Sequence, residues 1–226
     1  AKGAYLGEIP AGATMIELAA TGELRARWTA AIGNPGDFFA LLRPVLLATK
    51  IAPEIQRLQS LQRYIEHYRP DVILSALTYA NLVAIWAVHM SGSHVPVVVS
   101  ERIALSRYCA ASSNFRKWRW RYLPELVRRT YPNAAAVVTV SSDVTDDLIT
   151  AIGLKRSSVT TIHNPVVDDG LRALAQQPLQ HPWFAADAAP VILAVGRLTE
   201  QKDFATLLRA FAEVHAQRKA RLVILG

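Results

Sequence analysis

Arg197 and Lys202 lie five positions apart in Gly196-Arg197-Leu198-Thr199-Glu200-Gln201-Lys202, between an apolar run and a helical pattern. A guanidinium presents a planar fork of donors and an ammonium a compact point charge. Together they can neutralise roughly two phosphate charges and stabilise a departing diphosphate. Gly196 supplies the turn ahead of them, and the N-terminus of the following helix lies beside the pair. The same spacing suits a plainer role, a solvated turn whose cations pair with Glu200 or Asp203.

Other candidates sit where predicted strands end. Glu101 and Arg102 close one strand at its carboxyl end, where open parallel sheets gather ligands; they can equally form an ion pair with each other. Asn164, before Pro165, is either a cleft residue or a turn former. Ser141 serves a cleft or caps the helix after it. His89 and His94 lack partners at metal-ligand spacing, and His163 sits inside a strand, so no metal site is expected. Around Arg116, Lys117, Trp118, Arg119, Trp120 and Arg121, cations alternate with aromatics. Such a stretch suits an anionic membrane surface or a helix laying its arginine stems over a core. RNA ranks below both, because no nucleic-acid module surrounds it.

These residues need a scaffold, and the hydrophobic pattern predicts one. Val72–Ala76, Val95–Ser100, Ala136–Ser141 and Ser158–His163 are short and rich in β-branched residues, as buried parallel strands are. Helices are expected at Ala80–Met90, at Phe115–Tyr131 with a break near Pro124, at Val144–Ile152 and at Asp168–Gln176. Upstream, Phe38–Leu47 and Ile51–Tyr68 read as helical with boundaries blurred by Pro44 and Pro53. Tyr5–Ile9 and Thr14–Leu18 read as short strands. Alternating strands and helices predict an α/β fold, a parallel sheet with helices on both faces. Pro178, His181-Pro182-Trp183 and Pro190 mark a linker over 178–190. It separates a first domain, 1–177, from a second that begins at 191. There Val191–Val195, the glycine turn, a helix with Phe204, Leu207, Leu208, Phe211 and Val214 on one face, and Arg221–Leu225 make a βαβ unit.

The 226 residues are 51% hydrophobic and 19% charged, a folded profile. One cysteine, Cys109, excludes an internal disulfide framework and fits a reducing compartment. Ala1-Lys2-Gly3-Ala4-Tyr5 has no basic stretch leading into an apolar core, so no signal peptide is expected. Val72–Ser100 carries no charged side chain, yet Asn81, His89, Gly92, His94 and Pro96 interrupt it, which argues strand-helix-strand over a membrane span. The net charge of +7 is concentrated between Arg102 and Arg129, where eight basic residues face Glu125 alone. A polyanionic partner or membrane surface follows as an expectation.

Taken together, the pieces resemble the family-four, group 1, retaining glycosyltransferases. Val191-Ile192-Leu193-Ala194-Val195-Gly196-Arg197-Leu198 with Lys202-Asp203-Phe204 and Leu222-Val223-Ile224-Leu225-Gly226 is similar to the opening of that family's donor domain. Arg69-Pro70-Asp71-Val72-Ile73, Ala136–Ser141 and Val159–Pro165 resemble segments of its acceptor domain, in the same order. The resemblance implies the GT-B arrangement of two facing Rossmann-like domains, here an acceptor-side domain and the first βαβ unit of the other. It implies a metal-independent, cytoplasmic enzyme without a cofactor, peripheral at the inner face of the membrane. Such an enzyme transfers a sugar from a nucleotide-sugar to a glycan or lipid-linked acceptor with retention of configuration. Gly196, Arg197 and Lys202 would hold the donor phosphates. The family's glycine-rich loop and its donor-site carboxylate have no counterpart, and the segment alone is expected to be inactive. A nucleotide-sugar epimerase on the same scaffold and a non-catalytic membrane module are the alternatives.

Overall fold

The computed structural model describes residues 7, 9–111, 117–185 and 187–226. The chain forms two compact units, Ala1–Asn164 and Pro165–Gly226. The expected boundary after residue 177 would assign the exposed helix Asp169–Ala175 to the first of them.

Four parallel strands organise the first unit: β1 (Ile73–Ala76), β2 (Val97–Glu101), β3 (Ala136–Thr139) and β4 (Val159–Thr161), in the order β1-β2-β3-β4. Before them come α1 (Glu23–Gly33), α2 (Phe38–Leu41) and α3 (Leu58–Tyr68). Between them run α4 (Thr78–Met90), then α5 (Leu105–Ala110), α6 (Trp118–Arg121) and α7 (Leu123–Thr130), and finally α8 (Ser142–Ile152). Ile73↔Val97, Val98↔Ala136 and Val137↔Val159 fix the register.

The core lies between this sheet and α4, whose Leu82, Val83, Ile85 and Trp86 are buried. Val97, Val99, Val137 and Val159 face it; the alternate residues Leu74 and Thr160 are exposed. The sheet is therefore covered on one face by the described residues, against the expectation of helices on both. A sequential strand order with right-handed crossovers puts every connecting helix on the same side.

Several expected elements differ. Thr14–Leu18 forms no strand, and Tyr5–Ile9 falls largely outside the described residues. The expected helix at Phe38–Leu47 is α2 followed by a π-helical turn at Leu42–Leu46. That turn contains Pro44, which has no N–H to give the ladder. The α3 helix begins at Leu58, after Pro53 and a 3₁₀ turn at Ile55–Arg57. The basic helix breaks into α6 and α7 at Tyr122, two residues before Pro124. Helix α1 carries no large apolar stripe because its buried face is Ala26, Ala30 and Ala31.

In the second unit, α9 (Asp169–Ala175) precedes β5 (Val191–Val195), α10 (Phe204–Gln217) and β6 (Arg221–Leu225). β5 and β6 pair in parallel from Val191↔Arg221 to Val195↔Leu225, so the expected βαβ unit is present.

Arg27 on α1 fixes the turn after α2. Its guanidinium donates to the carbonyls of Val45 at 2.6 Å, Leu46 at 2.7 Å and Ala48 at 2.7 Å. These carbonyls belong to the end of the π-helical turn and the residues just after it, and a charged donor suits them. Arg27→Ala is expected to destabilise the first unit by about 2 kcal/mol, read as a lower urea midpoint with unchanged slope; an unchanged midpoint would show that the three bonds contribute nothing net.

Candidate functional site

At the carboxyl end of β2, Glu101 is 1% exposed. Its carboxylate accepts from Thr78 Oγ1 at 3.0 Å, from Asn81 Nδ2 at 3.3 Å and from the Tyr131 hydroxyl. Asn81 also reaches the Ser100 carbonyl at 3.1 Å and the Tyr131 oxygen at 3.0 Å. The network joins the start of α4, the end of β2 and the turn after α7. Burial pushes the carboxyl above its ordinary range, against the pull of Tyr131, Thr78 and Asn81. Beside it lies a cavity of about 120 Å³ lined by Leu77, Thr78, Tyr79, Ile103 and Trp120 among others. Leu77 enters α4 at φ 78°, a strained conformation for a residue with a side chain.

Glu101 is thus an almost fully buried carboxylate that also lines this cavity, and the alternative of an ion pair with Arg102 is not seen. Arg102 instead donates to Asn164 Oδ1, so two of the four strand-end candidates meet, bridging the ends of β2 and β4. Ser141 caps α8, accepting from the Val144 N–H at 3.3 Å. Behind it Thr139, Thr145 and Thr161 form a hydroxyl chain, the Thr145–Thr161 contact measuring 2.8 Å. The His163 ring contacts the Val140 carbonyl at 3.1 Å. Cys109 is buried, and desolvation raises its thiol to about 12, which removes it as a nucleophile.

Of the basic stretch, Arg116 lies outside the described residues. Trp120 is a core residue and not a surface one: it is 8% exposed and meets the rings of Tyr79 at 5.5 Å and Tyr108 at 4.8 Å. Lys117, Trp118 and Arg121 are exposed, and Arg119 is half-buried with its guanidinium 4.8 Å from the Trp120 ring. No helix among the described residues is long and apolar enough to cross a membrane.

The second unit holds the Gly196–Lys202 turn at the carboxyl end of β5. Gly196 N–H bonds the Leu225 carbonyl at 2.8 Å, tying the turn to β6. A Cβ on Gly196 would sit 3.2 Å from Lys202 Cε and 3.3 Å from its Cδ, so the lysine stem lies across the glycine. Asp203 caps α10, its Oδ1 accepting from Thr206 N–H at 3.2 Å. Neither Arg197 nor Lys202 has an ion-pair partner among the described residues, and Arg197 is exposed. The geometry offers two uncommitted cations on a backbone-anchored turn, next to a helix start where anions are favoured.

The sequence matches the family model described as Glycosyltransferase Family 4 over residues 33–169, more than half of the chain. The chain belongs to that family. The matched span contains all four strands of the first unit and the Glu101 network.

Among solved structures, it is similar to the lipopolysaccharide outer core galactosyltransferase WaaB in its apo form. Identity there is 17% and the TM-score 0.49, covering 76% of this chain and 41% of that one. It is also similar to Anabaena Alr3699/HepE in complex with UDP-glucose, at 14% identity and a TM-score of 0.43, covering 93% of this chain and 68% of that one. The family member described here thus spans about two fifths of the length of WaaB. No curated protein sequence matches it.

Sequence reasoning missed Thr78, Asn81 and Tyr131 as partners of Glu101. The available signal was Asn81, an amide in the middle of an otherwise apolar helix. An acid with a raised folded pKa binds more protons folded than unfolded between its ordinary 4.5 and the raised value. Its contribution to stability in this family-four protein therefore falls as pH rises through that window. Glu101→Gln, which keeps an acceptor for Tyr131 and Asn81, is expected to fold within about 1 kcal/mol of the parent at pH 7. Its stability should also change less between pH 4.5 and 7 in urea titrations; an unaltered pH profile would release Glu101 from that role.

Proposed function

We propose that this chain is part of a glycosyltransferase that moves a sugar from a nucleotide diphosphate donor to a glycan or lipid-linked acceptor, with retention at the anomeric carbon. The observation that carries the reading is the family match, which covers most of the first unit. In this reading Arg197 and Lys202 hold the donor diphosphate and stabilise it as it leaves, by charge and hydrogen bonds at the oxygens where negative charge builds up. No metal or cofactor takes part. Gly196 gives the backbone a close approach, and the Lys202 stem laid over it sets the ammonium beside the turn.

Acceptor-side roles fall to the carboxyl edge of the first unit's sheet, where Arg102 and Asn164 are in contact. The Glu101 network braces that edge: its carboxylate is held by three donors and is a positioning group, not a base in this reading. The enzyme would work in cell-surface polysaccharide or glycolipid synthesis as a hexosyltransferase, at the cytoplasmic face of the membrane. A free-standing membrane module explains less, because Trp120 belongs to the core.

Calorimetric titration with UDP, GDP and ADP tests the donor assignment. At least one is expected to bind, and Arg197→Ala is expected to weaken that binding by about 2–3 kcal/mol, the loss typical of a charged hydrogen-bond partner. Lys202→Ala should weaken it less, a point charge being easier for solvent to replace. Equal affinity in the parent and Arg197→Ala would remove Arg197 from the donor site.

A further inference from the structure

A second concentration of positive charge lies on the first unit, built from segments far apart in sequence. A cleft of about 410 Å³ opens between the turn after the π-helical segment and the start of α6. Ala48, Thr49 and Lys50 form one wall; Lys117, Trp118 and Arg119 form the other. Three of these six residues are cations and none is an acid.

Neighbouring cations already have uses. Arg128 and Arg129 both bond Glu125, at 2.6 Å and 3.0 Å, and Arg43 bonds the Tyr122 hydroxyl. Lys50, Lys117 and Arg119, by contrast, have no ion-pair partner among the described residues. Arg119 is held in place from two sides. Its carbonyl accepts from the Tyr79 hydroxyl at 2.9 Å, and its guanidinium stacks over Trp120. Its Nε is buried and has no acceptor among the described residues. A buried guanidinium N–H is a strong donor that costs stability when unmatched. The opposite wall is equally fixed, since Arg27 grips the Ala48 carbonyl at 2.7 Å.

Three cations around one cleft repel each other, and a multiply charged anion relieves that repulsion better than a carboxylate can. A planar guanidinium with two ammonium groups matches a phosphoryl group, which offers several oxygens and up to two charges. Trp118, 48% exposed at the rim, adds an aromatic face for whatever carries the phosphate. We propose that this cleft is a phosphoryl-binding site, taking the phosphate of a small solute or of a lipid headgroup, with Lys50, Lys117 and Arg119 on the oxygens and Trp118 on the carrier. It is distinct from the Gly196–Lys202 turn and stands whether or not the chain transfers sugars.

The experiment uses the whole chain with Arg197→Ala and Lys202→Ala, so that the donor turn is silent. Tryptophan emission is followed during titration with pyrophosphate, with phosphatidylcholine vesicles containing phosphatidylglycerol, and with phosphatidylcholine vesicles alone. A saturable change is expected with pyrophosphate or with the anionic vesicles, weakening with salt and absent with phosphatidylcholine. It should disappear in Trp118→Phe, and the apparent affinity should drop at least tenfold in Lys50→Ala/Lys117→Ala with an unchanged circular dichroism spectrum. A response to pyrophosphate assigns a soluble phosphate; a response to anionic vesicles alone assigns a headgroup. No response to either probe, or one that survives the double lysine substitution, overturns the site. Nucleoside diphosphate binding with Arg197 and Lys202 intact is a separate readout, so the donor reading and this one fail independently.

Discussion

A carboxylate buried at the end of a β-strand is costly unless every lone pair it presents is met. Three donors from two segments offset that cost at Glu101: Thr78 and Asn81 at the first turns of α4, and Tyr131 from the turn after α7. Those segments are therefore drawn to one point at the carboxyl edge of the sheet. Leu77 reaches it in a strained conformation, and the strain is tolerated because α4 is buried almost along its length. Loss of one donor would leave the buried carboxyl less fully met, so the segments at this edge depend on one another. Arg102, the next residue along, is thereby turned outward to Asn164.

The second unit solves a simpler problem. Two parallel strands and two helices bury little, and Ala220 is its one buried apolar residue among those described. Its turn is held by backbone geometry instead. The Gly196 N–H is fixed to β6, and Asp203 in a left-handed conformation caps α10, which leaves Arg197 and Lys202 unpaired by their acidic neighbours. Asp203 accepts from the Thr206 N–H, and no ion pair joins it or Glu200 to Arg197 or Lys202 among the described residues.

Much of this was legible in the sequence because parallel strands buried between elements read as uncharged β-branched runs. Val97–Val99 and Val137–Val138 have that form, and Ser141 announces α8 as a cap; Val191–Val195 reads the same way, yet its residues are half-buried or exposed, against the expectation of a buried strand. Less was legible where burial uses small or polar groups. Helix α1 hides behind three alanines and so shows no apolar stripe. The partners of Glu101 are scattered over positions 78, 81 and 131, and no local pattern links them. Trp120 and Trp118 are two residues apart in one short helix, yet one is core and the other rim, because α6 is pinned by Tyr79 and Tyr108 rather than laid on a surface. The one-sided sheet was missed because helix alternation fixes the number of crossovers, while strand order fixes their side.

The central claim is that the diphosphate of a nucleotide sits on the Gly196–Lys202 turn. Amide NMR shifts during parallel titrations with UDP and UMP test it most directly. The account predicts perturbations centred on Gly196, Arg197 and the amides from Thr199 to Phe204, larger and saturating at lower concentration with the diphosphate. Perturbations centred elsewhere in the chain, or equal responses to the mono- and diphosphate, would contradict it.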